Sequence, residues 1–424
     1  MKRVVVTGLG CITPIGNTVE QFRDSLYAGR TGIAPFDTNF VGALSPDPGL
    51  RFSTTAKVKD FDPVHNADQH LTTGVIFFAD TSAQFGIVAA RQAAAASELL
   101  KHHDPAAVAI VTGCACGGRA ADEDANRNLY TRNGRVPPTA ILRTMASSGS
   151  SNIAIELGIT GPVLNLATAC ASGAHAIGLA FQMVRAGIAP AAIAGGYEAP
   201  LTFGFLRAWD SMRVVSPTSC RPFATDRDGM TLGEGAAMLT LEPLETALAR
   251  GARIYAEIVG FGMSADAHHI TQPRAEGAAL AIGRAIADAA GSGIHNPASR
   301  VGYINAHGTG TPTNDAVEAA AIHQALGEFA PHIPVGATKS LTGHSIGAAG
   351  AIEALATVLA LDAGSLPYTA GVAEVDPTLN LDVIIGESRV LALGKPATRR
   401  DIALSNSLAF GGLNAVLAFR RFDG

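Results

Sequence analysis

Short apolar runs of β-forming residues alternate along the whole chain with longer runs rich in Ala and Leu. No other feature restricts the fold so strongly. Strands that alternate with helical segments build β-α-β units and parallel or mixed sheets. The strand candidates are Val4 to Gly8, Val108 to Gly113, Val163 to Ala169, Ala191 to Tyr197, Ala236 to Leu241, Tyr255 to Phe261, Val301 to Ala306, Val335 to Thr338 and Ile402 to Asn406. Nearly all are apolar throughout, as strands covered on both faces are. The helix candidates are Ala89 to Lys101, Ala171 to Ala186, Gly277 to Ala290, Ala316 to Gly327 and Ala348 to Ala363. The expected class is therefore α/β.

Two halves are expected, 1–250 and 251–424, because a strand-helix pattern closes near residue 250 and a new strand opens at Ile254. Each half also carries a strand followed by a small-residue turn and more apolar sequence, NLATACASGAHAIG in the first and ALSNSLAFGGLNAV in the second.

The charge balance excludes some functions. Net charge is -5 with pI near 6.2, without the basic excess of a nucleic-acid binder. The five cysteines, Cys11, Cys114, Cys116, Cys170 and Cys220, have no regular spacing, which argues against a disulfide framework. Cys114 and Cys116 lack a second Cys/His pair at zinc spacing, so no metal site is expected. The first apolar run is too short for a signal peptide. The longer ones are interrupted by Gly, Glu or Asp, so no membrane span is expected. The expected location is the cytoplasm.

Four segments offer chemistry. Cys170 sits where the β-type run NLATA gives way to a helical pattern, and a helix N-terminus stabilises a thiolate. The local sequence is equally compatible with a buried structural cysteine. His307 ends a strand and opens the loop HGTGTPT, where Thr309 and Thr311 offer hydroxyls to a polar ligand arm. Lys339 and His344 lie on a polar turn, VGATKSLTGHS, with Glu353 in the helix that follows. Taken alone, Lys339 is also compatible with a surface position. In SNSLAFGGLNAV, Gly411 and Gly412 permit unusual backbone angles, which suit either a structural turn or an N–H aimed at an oxyanion. The pair His268 and His269 has no third ligand at a recognisable spacing and reads as loop. GLGCITPIG lacks the last glycine of a dinucleotide fingerprint.

Together these segments resemble the β-ketoacyl-[acyl-carrier-protein] synthases, most nearly the synthase II type. TACASG at 168–173, NAHGTGT at 305–311, TKSLTGH at 338–344 and AFGGLNA at 409–415 match that family's motifs in order, and the resemblance covers essentially the whole chain. It implies a five-layered α-β-α-β-α thiolase fold of two duplicated halves, with Cys170 in the first and the His, Lys, His set in the second. It further implies a homodimer or a heterodimer with a related subunit, and no metal or organic cofactor. The implied activity is decarboxylative condensation of an acyl thioester with malonyl-acyl carrier protein. Cys170 would take the acyl group, and His307 and His344 would stabilise the enolate. Lys339 and Glu353 would hold the charge network, and Thr309 and Thr311 would meet the phosphopantetheine arm. The N–H groups of Cys170 and Phe410 would form the oxyanion hole beside Gly411 and Gly412, and Phe410 would gate a pocket lined by Cys116. No Cys follows Cys220, unlike thiolases, and TKSLTGH supplies the second histidine that initiating synthases lack.

One stretch departs from the housekeeping pattern. From Leu71 to Gly86 there is no Lys or Arg, where relatives carry a basic cluster for the acidic carrier. Arg127, Arg132, Arg207 and Arg213 are candidate substitutes. The altered stretch points to a specialised enzyme serving a dedicated carrier, of nodulation or polyene type.

Overall fold

The computed structural model describes residues 1–36, 49–132, 134–394 and 399–423. Its first half runs β1 Val4–Ile12, α1 Thr81–Ala96, β2 Ala109–Gly113, α2 Ser148–Leu157, β3 Val163–Leu166, α3 Ser172–Arg185, β4 Ala192–Glu198 and β5 Gly235–Pro243. Its second runs β6 Ala256–Ala265, α4 Ala275–Gly291, β7 Val301–Asn305, α5 Pro312–Leu326, β8 Pro334–Gly336, α6 Ala349–Ala363, β9 Ile402–Ala409 and β10 Leu413–Arg421. Strands lie in the order β3-β2-β4-β5-β1 in the first half and β8-β7-β9-β10-β6 in the second. The same permutation therefore occurs twice. The pairing senses repeat as well: β2 is parallel to both neighbours, as is β7, and the remaining pairs are antiparallel. The two half-sheets join antiparallel along Val4↔Ile258, Val5↔Glu257 and Val6↔Ala256, and a two-residue edge strand, Asp382–Val383, adds parallel to β8, which makes one sheet of 11 strands among the described residues.

Five layers follow from which helix covers which face. Helices α1 and α2 cover the outer face of the first half-sheet, α4 and α5 lie outside the second, and α3 and α6 pack against each other between the two. Small residues make that central layer possible. A side chain on Gly173 would meet Ala351 N at 2.8 Å, and one on Gly350 would meet Ala174 N at 2.8 Å. The two helices thus cross with backbone nearly on backbone. Each is entered through the same tight turn, Ala169–Ala171 before α3 and Ile346–Ala348 before α6. Both turns open with a non-glycine residue in the left-handed region, Ala169 at φ 49° and Ile346 at φ 47°. Such residues are uncommon and need surrounding structure to hold them.

Several expected elements move. The strand expected to reach Ala169 stops at Leu166, because the left-handed turn at Ala169 cannot continue a ladder. Helix α1 begins at Thr81 rather than Ala89, since Asp80 caps it by accepting from Ser82 N at 3.1 Å. Strand β10 was not expected at all; it follows directly on the glycine pair. The segment Ile346–Ala363 is in fact long and apolar enough to cross a membrane, against expectation, but 89% of it is buried in the protein as the core helix α6.

The crossing generates a stability test. Gly350→Ala should destabilise by about 1–3 kcal/mol through overpacking. Gly283→Ala, on an open face of α4 with nothing within 4 Å, should stabilise by about 0.4–1 kcal/mol. Urea midpoints of the two variants should move in opposite directions; equal shifts would remove the close crossing from the account.

Candidate functional site

The functional side chains come from the ends of matching strands. Cys170 stands on the turn between β3 and α3, and His344 on the turn between β8 and α6. His307 follows β7, and Phe410, Gly411 and Gly412 form the turn between β9 and β10. Duplication thus brings Cys170 and His344 to the same end of the molecule, one from each half.

A cavity of ≈ 400 Å³ collects Cys170, His307, His344, Thr309, Thr311, Phe410, Gly411 and Gly412 in one lining. Lys339 and Glu353 lie behind it, each almost inaccessible. Lys339 Nζ donates to His307 O at 2.5 Å, to His307 Nδ1 at 3.1 Å and to Glu353 Oε1. An ammonium has three hydrogens and no lone pair. All three are used, so His307 Nδ1 accepts and Nε2 carries the ring proton. The rings of His307 and His344 meet edge to face, with centroids 5.4 Å apart. Burial holds both histidines well below their ordinary pKa, and the Lys339 charge adds to it. Both therefore rest neutral. Neither ring nitrogen of His344 has a hydrogen-bond partner among the described residues, so the one N–H of its neutral ring is left to donate to a bound carbonyl.

The Cys170 sulfur corrects an expectation. Burial raises its thiol to about 11, outweighing the Lys339 charge and the Phe410 N–H that lower it. Cys170 therefore rests as a thiol rather than the expected thiolate. The Phe410 N–H reaches the sulfur because Gly411 at φ 82° and Gly412 at φ 69° turn the chain back within two residues. A side chain on Gly412 would strike Asp266 Cβ at 2.5 Å.

Buried carboxylates that the sequence did not reveal hold this geometry. Glu318, on α5, accepts from His307 N and Gly308 N, each at 2.8 Å, and from Asn406 Nδ2 on β9 at 3.1 Å. It thereby fixes the histidine loop to the neighbouring strand. Glu198, at the end of β4, accepts from Ala115 N at 2.8 Å, Cys116 N at 3.1 Å and Gly347 N at 3.1 Å. Burial raises it to about 7. Glu353 is likewise raised by burial to about 7, with Lys339 pulling it down. An acidic residue in a helical pattern ordinarily signals a solvated face; only its setting among Ala and Ile in AVEAAAIH could have marked Glu318 as buried.

Other expected residues fall less centrally. Thr311 caps α5 and bonds Thr309 at 2.9 Å between hydroxyls. Cys116 is not in the cavity lining; it packs against a neighbouring apolar cluster with Phe205 and Ile346. His269, expected to be plain loop, lines the cavity. Of the candidate arginines, Arg213 lines the cavity, while Arg127 and Arg207 pair with carboxylates on their own helices. The Arg132 side chain lies outside the described residues. In the stretch without basic residues, Phe77 and Phe78 are 56% and 44% exposed and stack edge to face. Among the described residues, no cluster of three or more His, Cys, Asp or Glu could hold a metal ion.

Comparison with known proteins agrees in sequence and in fold. Residues 1–247 match the β-ketoacyl synthase N-terminal domain, and residues 255–373 match the C-terminal domain of the same family. A 3-oxoacyl-[acyl-carrier-protein] synthase 2 of Synechocystis sp. is 42% identical, covering 100% of this chain and 99% of the relative. Nodulation protein E of a Rhizobium species is 36% identical, covering 99% of each. The solved ishigamide ketosynthase/chain length factor superposes with a TM-score of 0.87 at 34% identity over 99% of each chain.

Thiol chemistry gives a direct check. Alkylation of Cys170 should accelerate about tenfold per pH unit from about pH 7 to pH 10, since only the thiolate reacts. Stopped-flow alkylation with intact-mass readout measures it. A plateau reached by about pH 8 would show a thiol already lowered at rest.

Proposed function

We propose the following function for this chain, which belongs to the β-ketoacyl synthase family: it catalyses the decarboxylative Claisen condensation of an acyl thioester with malonyl-acyl carrier protein. The observation that carries this reading is the convergence of Cys170 and two neutral histidines on one cavity, with Lys339 fixing the tautomer of His307.

In the first step, Cys170 sulfur attacks the acyl carbonyl of the carrier thioester. The carbon–sulfur bond to the carrier breaks, and the carrier thiol leaves with the proton that Cys170 gives up. The oxyanion formed on the way is met by the N–H groups of Cys170 and Phe410, a pairing that stabilises developing charge without reorganisation. A thioester is a soft electrophile suited to sulfur. In the second step, the malonyl carbon–carboxylate bond breaks and CO₂ departs. The electron pair becomes an enolate, whose oxygen accepts from His307 Nε2–H and from His344. Neutral donors suit this step, because a charged imidazolium would hand its proton to the carbanion. The enolate carbon then attacks the Cys170 thioester. Cys170 is expelled as thiolate and regains a proton, leaving a β-ketoacyl-carrier product. Thr309 and Thr311 are read as contacts for the phosphopantetheine arm, Cys116 as part of the acyl side, and Gly411 and Gly412 as the turn that presents the Phe410 N–H. No cofactor is required.

The units 1–250 and 251–424 are read as duplicated halves, and the protein as a cytoplasmic dimer, of two copies or of one copy and a chain-length-factor-like subunit. A dedicated pathway is favoured over general fatty acid synthesis. The stretch from Leu71 to Gly86 has no Lys or Arg and exposes Phe77 and Phe78 instead, and the likeness to Nodulation protein E and to the ishigamide enzyme points the same way. Equal activity with the general fatty-acid carrier and ordinary saturated elongation would count against that choice.

Purified protein should form an acyl adduct with an acyl-carrier protein panel, and Cys170→Ala should form none. Condensation with malonyl-carrier protein should fall about 10²–10⁴-fold in His307→Ala. Intact mass and product analysis measure both. No adduct with any donor, even beside a candidate partner subunit, would overturn the enzymatic reading.

A further inference from the structure

Trp209 is the only tryptophan in the chain. It lies on the helix Phe203–Met212 and lines the same cavity as Cys170 and both histidines. Its ring stacks on Phe410, with centroids 5.8 Å apart and planes 17° from parallel. Phe205, one turn earlier on the same helix, also meets the indole, with centroids 5.9 Å apart and planes tilted by 58°. Phe205 belongs to a buried cluster with Leu206, Met230 and Ile346. The helix itself is tied at both ends: Glu123 accepts from Gly204 N at 3.0 Å, and Arg51 Nε donates to Asp210 at 3.1 Å. The indole is thus a fixed platform.

Phe410 is placed quite differently. It is followed by Gly411 at φ 82° and Gly412 at φ 69°, and a Cβ on Gly411 would meet nothing closer than 3.7 Å. Its backbone N–H reaches the Cys170 sulfur. Cys170 is 6% exposed, so an acyl chain on that sulfur has to share the cavity with the Phe410 ring. A ring on a glycine turn, held by one aromatic contact against a fixed platform, has one orientation when stacked and is free to leave it when displaced.

We propose that Trp209 is a positioning residue for the condensation: it latches Phe410 in its resting orientation, and acylation of Cys170 breaks the stack. The proposal rests on the reading of Cys170 as the acyl carrier. The latch makes the room beside the sulfur conditional on a bound acyl group. Without it, Phe410 leaves its resting place before acylation, and malonyl thioester is decarboxylated without condensation more often.

The single tryptophan makes the stack observable. Native protein would be treated with octanoyl-N-acetylcysteamine while intact mass follows the adduct and emission follows Trp209 in the same samples. Emission should shift in step with the adduct, and Cys170→Ala should show no shift at the same thioester concentration. Trp209→Ala should acylate about 2- to 10-fold faster, the range expected for loss of one aromatic pair. It should also decarboxylate a larger share of malonyl-carrier protein without product. Trp209→Phe keeps an aromatic face and should return both quantities to within about twofold of native. A full adduct with unchanged emission, or Trp209→Ala acylating and partitioning like the native protein, would overturn the latch. Failure of the native protein to form any adduct would instead overturn the condensing function, a result the mass measurement separates from the emission.

Discussion

The buried ammonium of Lys339 is the group on which the site depends. It donates to Glu353, to the His307 carbonyl and to His307 Nδ1, and these three bonds exhaust its hydrogens. A charge this deep is costly unless every donor is satisfied. Satisfying it orients His307, places the ring proton on Nε2 and disfavours a second positive charge on either imidazole. Removing the ammonium would leave Glu353 buried without its partner and His307 free to choose either tautomer.

The duplicated scaffold supplies the frame for that arrangement. The repeated strand order brings two equivalent turns to one end of the molecule, one opening α3 and the other α6. Small residues let these helices cross closely, so the two turns come near enough to serve one cavity. Each turn strains one residue into the left-handed region. Glu198 and Glu318 bind the neighbouring loops through backbone N–H groups. Packing and buried hydrogen bonds therefore position groups that would otherwise sit on four separate loops.

Much of this was legible before any coordinates. Alternating apolar and Ala-rich runs signalled the α/β class, and nine of the ten principal strands overlapped compact β-type runs. Strand β10 escaped because the glycine pair before it reads as the end of a strand, not as a hairpin. Cys170, His307, Lys339 and His344 were visible because each stands where a strand yields to a turn of small residues. Glu318 and Glu198 were hidden, since a carboxylate accepting backbone N–H groups carries no local pattern that separates it from a solvated one. The resting thiol at Cys170 was also hidden: a helix N-terminus is readable in sequence, whereas the burial that opposes it is a property of the folded whole. Trp209 had no signal at all, because its partner Phe410 is distant along the chain.

The account stands most directly on the charge and tautomer of the two histidines. Nitrogen NMR of protein labelled at histidine, with His307→Gln and His344→Gln for assignment, reads both across about pH 5 to 8, the interval in which an ordinary histidine titrates. The prediction is that neither ring titrates there and that His307 shows only the Nε2–H form. A titration midpoint for either ring near the ordinary value of about 6.5, or an Nδ1–H form of His307, would contradict a site built on neutral donors held by Lys339.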